Sequence, residues 1–333
     1  MPTEIPLFPA KRIWYKAPHN AFTDLAWFRG AWWCVFREGE NHVSPDGQIR
    51  LLRSKNGESW RTVKVFVAEG ADLRDPSLVV TPQNKLVLLS AKKVLRAEHG
   101  FSHLVYAWQS DTGRQWSQAQ EVGEKDLWLW RVAFPDSNEQ LTTGLGVAYK
   151  VGGDYHARLY STENGIDFIP LVERLRGKRK PEYSNESGLC FSKDGTAWCL
   201  MRRDPQTALL GSAKPPYKRW NWKDTKQRIG GPVMATLDDG RILSVVRFYT
   251  VENKQIVAAR TSFAWVNTET GKLTECGRLP SGGDTSYAGL VVKDGVAYVS
   301  YYSAHRLVAR KYRPSIYFAQ VPICDLLPDT EEG

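Results

Sequence analysis

The sequence has few of the features that usually announce a function. Its 333 residues hold five cysteines, Cys34, Cys190, Cys199, Cys276 and Cys324, and no two of them form a C-x-x-C pair. That excludes the common cysteine zinc sites and the thioredoxin-like redox motif. Cys190 and Cys199 fall on two arms of a predicted hairpin and could lie close, but an odd number of scattered thiols reads as reduced core residues. No nucleotide-binding or redox-cofactor motif is present, so no cofactor and no metal are expected. No run approaches the roughly 18 apolar residues of a membrane span. The first residues, Met1 to Phe8, lack the basic and apolar segments of a signal peptide. The chain is expected to be soluble, either cytoplasmic or exported with its signal peptide already removed. Long helical patterns are missing as well.

What is abundant is aromatic: 13 Trp and 14 Tyr. Aromatic residues within short alternating runs favour strands. Exposed Trp and Tyr also suit carbohydrate, whose rings present an apolar C–H face. The net charge of +9 is spread along the chain, apart from the run Arg174-Leu175-Arg176-Gly177-Lys178-Arg179-Lys180. With no nucleic-acid motif beside it, that run reads as a solvated loop, and nucleic acid is not the expected partner.

The short runs are punctuated by Asp-Gly and Asn-Gly pairs at Asp46-Gly47, Asn56-Gly57, Asn164-Gly165, Asp194-Gly195, Asp239-Gly240 and Asp294-Gly295. Pairs of this kind between strand-like segments mark hairpins. A coarser period of about fifty residues, the size of a four-stranded propeller blade, overlies them. Strand-like segments begin near Phe22-Thr23-Asp24, Asp72-Leu73-Arg74-Asp75-Pro76, Trp128-Leu129-Trp130-Arg131, Asn185-Glu186, Gly230-Gly231-Pro232 and Asp284-Thr285-Ser286-Tyr287. Six such units fill the chain. The expected fold is all-β: one six-bladed β-propeller domain over residues 1–333, with four-stranded antiparallel blades. Ser54-Lys55-Asn56-Gly57-Glu58-Ser59-Trp60 and Ser110-Asp111-Thr112-Gly113-Arg114-Gln115-Trp116 are near copies, with a looser third at Ser161–Phe168. Each has a short polar residue to bond local backbone, a glycine for positive φ and an aromatic to pack beneath, which suits the turn between a blade's outer strands.

In a propeller the innermost strands converge on one axis. Their first residues then line a common mouth, which makes Asp24, Arg74, Asp75, Arg131, Glu186, Asp284 and Tyr287 candidates. The ends of second strands add Arg37, Glu38, Arg202 and Arg247. Several guanidinium groups at one mouth would suit a carboxylate ligand, because their forks match its two oxygens. His305, after a second strand of the last unit, is a candidate substrate contact. Of Trp128 and Trp130, one is expected to stack on a sugar, and Trp130 is the choice.

The paired turns resemble the Asp-boxes of sialidases, shortened by one residue. Glu186, the Asp194-Gly195 turn and Arg202 are similar to the sialidase fourth blade, and Tyr287-Ala288-Gly289-Leu290 to the sixth. The resemblance implies an exo-acting hydrolase of an acidic sugar, with Tyr287 as nucleophile, Glu186 as its base and Arg202 as the best partner for the substrate carboxylate. Retaining sialidases use a tyrosine where most glycosidases use a carboxylate. The resemblance places the acid/base in the loop Arg37–Gly47, where Glu38, His42 and Asp46 are candidates and Asp46 suits a turn. The chain departs from the family before the first strand: sialidases carry an arginine there, and this chain reads His19-Asn20-Ala21-Phe22-Thr23-Asp24. Two other functions stay open, a carbohydrate-binding propeller without catalysis and a lyase or other glycosidase using His42 or His305 as base. The sugar, the linkage and the oligomeric state are not legible.

Overall fold

Alternating apolar runs joined by glycine-bearing turns fold as antiparallel hairpins, because each strand can then bury one face while its neighbours satisfy its backbone. The structure, a computed structural model, describes residues 4–94, 102–135, 142–152, 155–176, 182–253 and 255–326. These residues form six four-stranded antiparallel sheets and one two-stranded hairpin. Part of the basic run, residues 177–180, lies outside them. Among the described residues no helix is long and apolar enough to cross a membrane.

Blades 1 to 5 run in chain order from inside to outside. Their innermost strands are His19–Phe28, Ala71–Val80, Leu127–Ala133, Tyr183–Phe191 and Ile229–Thr236. Blade 6 starts with Thr285–Lys293 and takes its outermost strand, Lys11–Trp14, from the other end of the chain. That strand pairs with Ser315–Pro322 and closes the ring. Between each pair of adjacent blades lies an apolar core. Trp33, Leu51 and Leu88 belong to the one between blades 1 and 2, and Phe263, Tyr301 and Tyr317 to the one between blades 5 and 6. None of the five cysteines is in a disulfide.

The expected outer turns take the predicted form. Gly57 and Gly113 have φ of 74° and 73°. Their amides donate to Ser54 and Ser110, and the indoles of Trp60 and Trp116 donate back to the Gly57 and Gly113 carbonyls at 2.9 Å. In blade 4 Tyr217 takes the left-handed position, and Trp220 closes the same bond at 2.9 Å.

Every innermost strand carries a bulge near its start. Pairing with the second strand slips between Ala21 and Asp24, Arg74 and Ser77, Leu129 and Arg131, Ser184 and Ser187, Gly230 and Val233, and Ser286 and Gly289. A bulge leaves residues unpaired and re-aims their side chains. Here it turns Phe22, Asp75, Trp130, Glu186, Gly231 and Tyr287 toward the axis.

The axis is pinned just below. Arg131 of blade 3 donates to the Asp24 carboxylate of blade 1 at 2.8 Å and to the Ala288 carbonyl of blade 6 at 2.7 Å. The other Asp24 oxygen accepts the Leu78 amide of blade 2 at 2.8 Å. Burial raises the Asp24 pKa, and Arg131 opposes that rise. Arg131→Met should destabilise the protein by about 3–5 kcal/mol, because it strands a buried carboxylate. Adding Asp24→Asn should recover part of the loss, since Asn keeps an acceptor for Leu78 without the charge. Urea unfolding of the two single variants and the double variant measures the coupling.

Candidate active site

The bulge residues of blades 4 and 6 meet at the axis. The Tyr287 hydroxyl donates to Glu186 Oε1 at 2.7 Å. Arg202 Nη1 donates to the same oxygen at 2.7 Å and to the Tyr287 hydroxyl at 3.2 Å. The other oxygen, Oε2, accepts the Gly231 amide of blade 5 at 2.8 Å. Gly231 has φ of 55°, and a Cβ there would stand 3.1 Å from Tyr287 Cγ. Only glycine gives this backbone both its conformation and its approach to the tyrosine.

The Tyr287 ring is enclosed on several sides. Phe22 and Trp130 meet it edge-on, at 5.4 and 5.7 Å between centroids, and the Arg247 guanidinium lies over it at 4.8 Å. Burial, and after it the Glu186 charge, hold the phenol well above its ordinary pKa against the pull of Arg247 and Arg202. The hydroxyl therefore stays protonated at neutral pH. Arg202 keeps its proton despite burial, because Glu186 lies against it.

Each arginine of the mouth is held by a carboxylate. Arg202 Nε lies 2.8 Å from Asp204 as well. Arg247 donates to the Thr285 carbonyl at 2.7 Å and to Asp284 and Tyr302 at 3.3 and 3.0 Å. Arg74 donates to Asp75 at 3.0 Å and lies 3.6 Å from Asp72. Burial raises the Asp75 pKa, and Arg74 opposes the rise. Asp75, Phe22, Trp130, Arg131 and Tyr287 border one small recess. A much larger cavity, about 1180 Å³, opens at the other end of the axis between Leu25, Val79, Leu189, Met234 and Val292. Its lining mixes aliphatic side chains with polar ones such as Asn84, Asp238, Asp239 and Lys293, and among the described residues it holds no counterpart of the Tyr287–Glu186–Arg202 cluster.

Glu186, Arg202, Arg247, Arg74, Asp75 and Tyr287 thus lie together at the mouth. Other candidates lie elsewhere. Arg37 is fully buried, bonded to Asp72 at 2.7 Å and to the Asn41 carbonyl at 2.8 Å. It anchors the loop that follows it and offers a substrate nothing. Glu38 points the other way along the same strand, to Trp14, Gln48 and Arg50. Asp46 accepts the Glu40 amide and closes the loop's turn. His42 is exposed at the rim beside Asp284, and the Phe22 ring separates it from Tyr287. His305 packs on Tyr317 and bonds Ser303, off the cluster. Arg131 and Asp24 serve the axial pin. Trp130 is buried behind Tyr287, and Trp128 stacks on Tyr149 at an interplanar angle of 13°, so neither presents a face to a sugar. His19 was missed. It opens the innermost strand of blade 1 beside Asp284, and only the missing arginine drew attention to that stretch.

No protein-family model matches the chain, and no curated protein matches it. Solved structures do. A protein of unknown function from Dyadobacter fermentans superposes with a TM-score of 0.76 at 16% identity, over 96% of this chain and 98% of that one. An α-L-arabinanase of Penicillium chrysogenum, solved with arabinobiose, gives 0.67 at 14% identity, over 96% and 99%. A Trypanosoma rangeli sialidase, solved with the inhibitor DANA, gives 0.66 at 12% identity over 91% of this chain, which spans only 55% of the sialidase. At these identities the likeness is one of fold, and the chain is a divergent six-bladed β-propeller of the architecture that sialidases and arabinanases share.

Proposed function

We propose that the protein is an exo-acting glycoside hydrolase that releases a terminal acidic sugar, with Tyr287 as nucleophile and Glu186 as its base. The observation that carries this reading is the 2.7 Å hydrogen bond from the Tyr287 hydroxyl to Glu186 at the axial mouth. A phenol buried this way is a poor nucleophile until it loses its proton, and Glu186 accepts that proton as the oxygen attacks. A neutral phenol suits an anomeric carbon that itself bears a carboxylate, because an Asp or Glu anion would be repelled there. Arg202 and Arg247, already fixed by Glu186, Asp204 and Asp284, face that carboxylate with little side-chain entropy left to lose.

Asp75 supplies the proton to the leaving oxygen. Burial raises its pKa, so it carries a proton further toward neutral pH than an exposed carboxyl would. In the first step the bond from Tyr287 oxygen to the anomeric carbon forms as the glycosidic bond breaks, and the departing oxygen takes the Asp75 proton. In the second, water adds to the anomeric carbon, gives its proton back to Asp75 and releases Tyr287, which recovers its own proton from Glu186.

Aryl glycosides of sialic acid, other ulosonic acids, uronic acids and arabinofuranose separate the readings. Release from an acidic glycoside is expected, and Tyr287→Phe should lower kcat by at least about 10³-fold with the melting curve retained. Full activity in Tyr287→Phe removes the nucleophile from this reading. Cleavage of the arabinofuranoside alone keeps a hydrolase and discards the acidic sugar. Asp75→Asn should cost about 10²–10⁴-fold on a glycoside with an alkyl leaving group and far less on a nitrophenyl glycoside, whose departing oxygen needs no proton. Equal losses on both would take the proton-donor role from Asp75.

A further inference from the structure

We propose that His19, His42 and Asp284 form a site for a divalent cation of zinc-like chemistry, at the seam where blade 6 closes on blade 1. The three residues come from the start of the innermost strand of blade 1, the loop that follows its second strand, and the chain just before the innermost strand of blade 6. Spacings this long leave no local motif, so no metal site is legible in the sequence. In the fold their ligating atoms all lie within 4.8 Å of one another. Asp284 Oδ2 is 3.2 Å from His42 Nδ1 and 3.6 Å from His19 Nε2. Tetrahedral zinc, with bonds of about 2.0–2.1 Å to nitrogen and oxygen, sets its ligands roughly 3.3 Å apart.

The surroundings divide the carboxylate as a metal would require. Asp284 Oδ1 accepts the Tyr302 hydroxyl at 2.7 Å and Arg247 Nη2 at 3.3 Å. Its other oxygen faces only the two imidazoles among the described residues. A ligating carboxylate is ordinarily oriented by hydrogen bonds of this kind.

His19 provides the second, independent observation. Its residue is 8% exposed, and Nδ1 is buried with no hydrogen-bond partner among the described residues. Its Nε2 reaches Asp284 only at 3.6 Å, beyond hydrogen-bond length. Among the described residues Nε2 thus has no partner at hydrogen-bond length, and a cation between it and Asp284 Oδ2 would give it one. His42 stands on the other side with its side chain 55% exposed, free to adjust toward a metal. Two imidazoles and one carboxylate leave a coordination position open to water or to a sugar oxygen at the rim. The cation would tie the first blade to the last and fix the loop 40–47, which Arg37 already anchors from below.

This inference does not rest on the hydrolase reading, and its test uses metal binding alone. The full chain, stripped with chelator and dialysed, is titrated with zinc chloride by calorimetry, followed by dialysis and metal analysis. One equivalent is expected, with a rise in melting temperature. His42→Gln changes an exposed side chain and should fold normally. Loss of a ligand should weaken binding by more than the roughly 10–100-fold that loss of a ligand's supporting partner costs. Asp284→Asn should do the same, and Cys324→Ser, which removes the exposed thiol, should leave binding unchanged. Cobalt(II) gives a second readout, visible absorption bands that the His42→Gln variant should lack. No zinc retained by the wild-type chain, or equal retention in His42→Gln, overturns the proposal.

Discussion

The Arg131–Asp24 bridge is the contact on which the rest of the mouth depends. A propeller ring has no strand across its middle, so only side chains can join opposite blades. Arg131 does so from blade 3, reaching Asp24 and the Thr23 carbonyl in blade 1 and the Ala288 carbonyl in blade 6. Thr23 in turn donates to the Tyr287 carbonyl at 2.9 Å. The backbone that presents the tyrosine is therefore held on two successive carbonyls, by Arg131 from across the axis and by Thr23 from the neighbouring blade. Buried ion pairs are weak evidence of net stability, because desolvation offsets their attraction. Their value is in geometry, and here the geometry fixed is that of Tyr287.

Asp24, in the middle of the innermost strand of blade 1, gives Arg131 its partner and so holds the blade 3 cation at the axis. Each arginine at the mouth lies against protein carboxyl groups: Arg74 against Asp75, Arg202 against Glu186 and Asp204, and Arg247 against Asp284. A substrate carboxylate would meet guanidinium groups already pre-organised by protein carboxylates. Orientation, more than a large net attraction, is what such a site offers.

Much of the architecture was legible because repeats and turns are local. The six segments picked out by the fifty-residue period are the six bulged strand starts; Glu186 and Tyr287 converge from two of them, and Arg202 from the end of a second strand. The errors came from orientation. Arg37 and Glu38 are neighbours on one strand, and neighbours point to opposite faces, so both could not line the mouth. One lies under the loop and the other against Trp14. Trp130 sits at a bulge and reaches the axis, but its bulk places it behind Tyr287, which no spacing rule reveals. The His19–His42–Asp284 cluster depends on the ring closing, and closure brings together residues from both ends of the chain.

Backbone strain argues for the same location as the chemistry. Positive φ at a residue other than glycine costs roughly 1–2 kcal/mol. Most such residues here sit in turns, as Asn84, Asp126 and Asp294 do, where the conformation is ordinary. Phe22, Asp75, Ser286 and Tyr287 are different: they adopt it inside strands, at φ of 59°, 47°, 99° and 47°. All four lie at the mouth; among the described residues around the larger cavity, the left-handed ones other than glycine, Asn84 and Asp294, sit in turns rather than inside strands. A ladder continued without bulges would avoid that cost and would turn these side chains away from the axis. Strain kept at one end of the axis, and clamped there by Arg131 and Thr23, is what a site requires when its nucleophile must be held in one position. The larger cavity, whose left-handed residues sit in ordinary turns, is the hole any propeller leaves where its inner strands diverge.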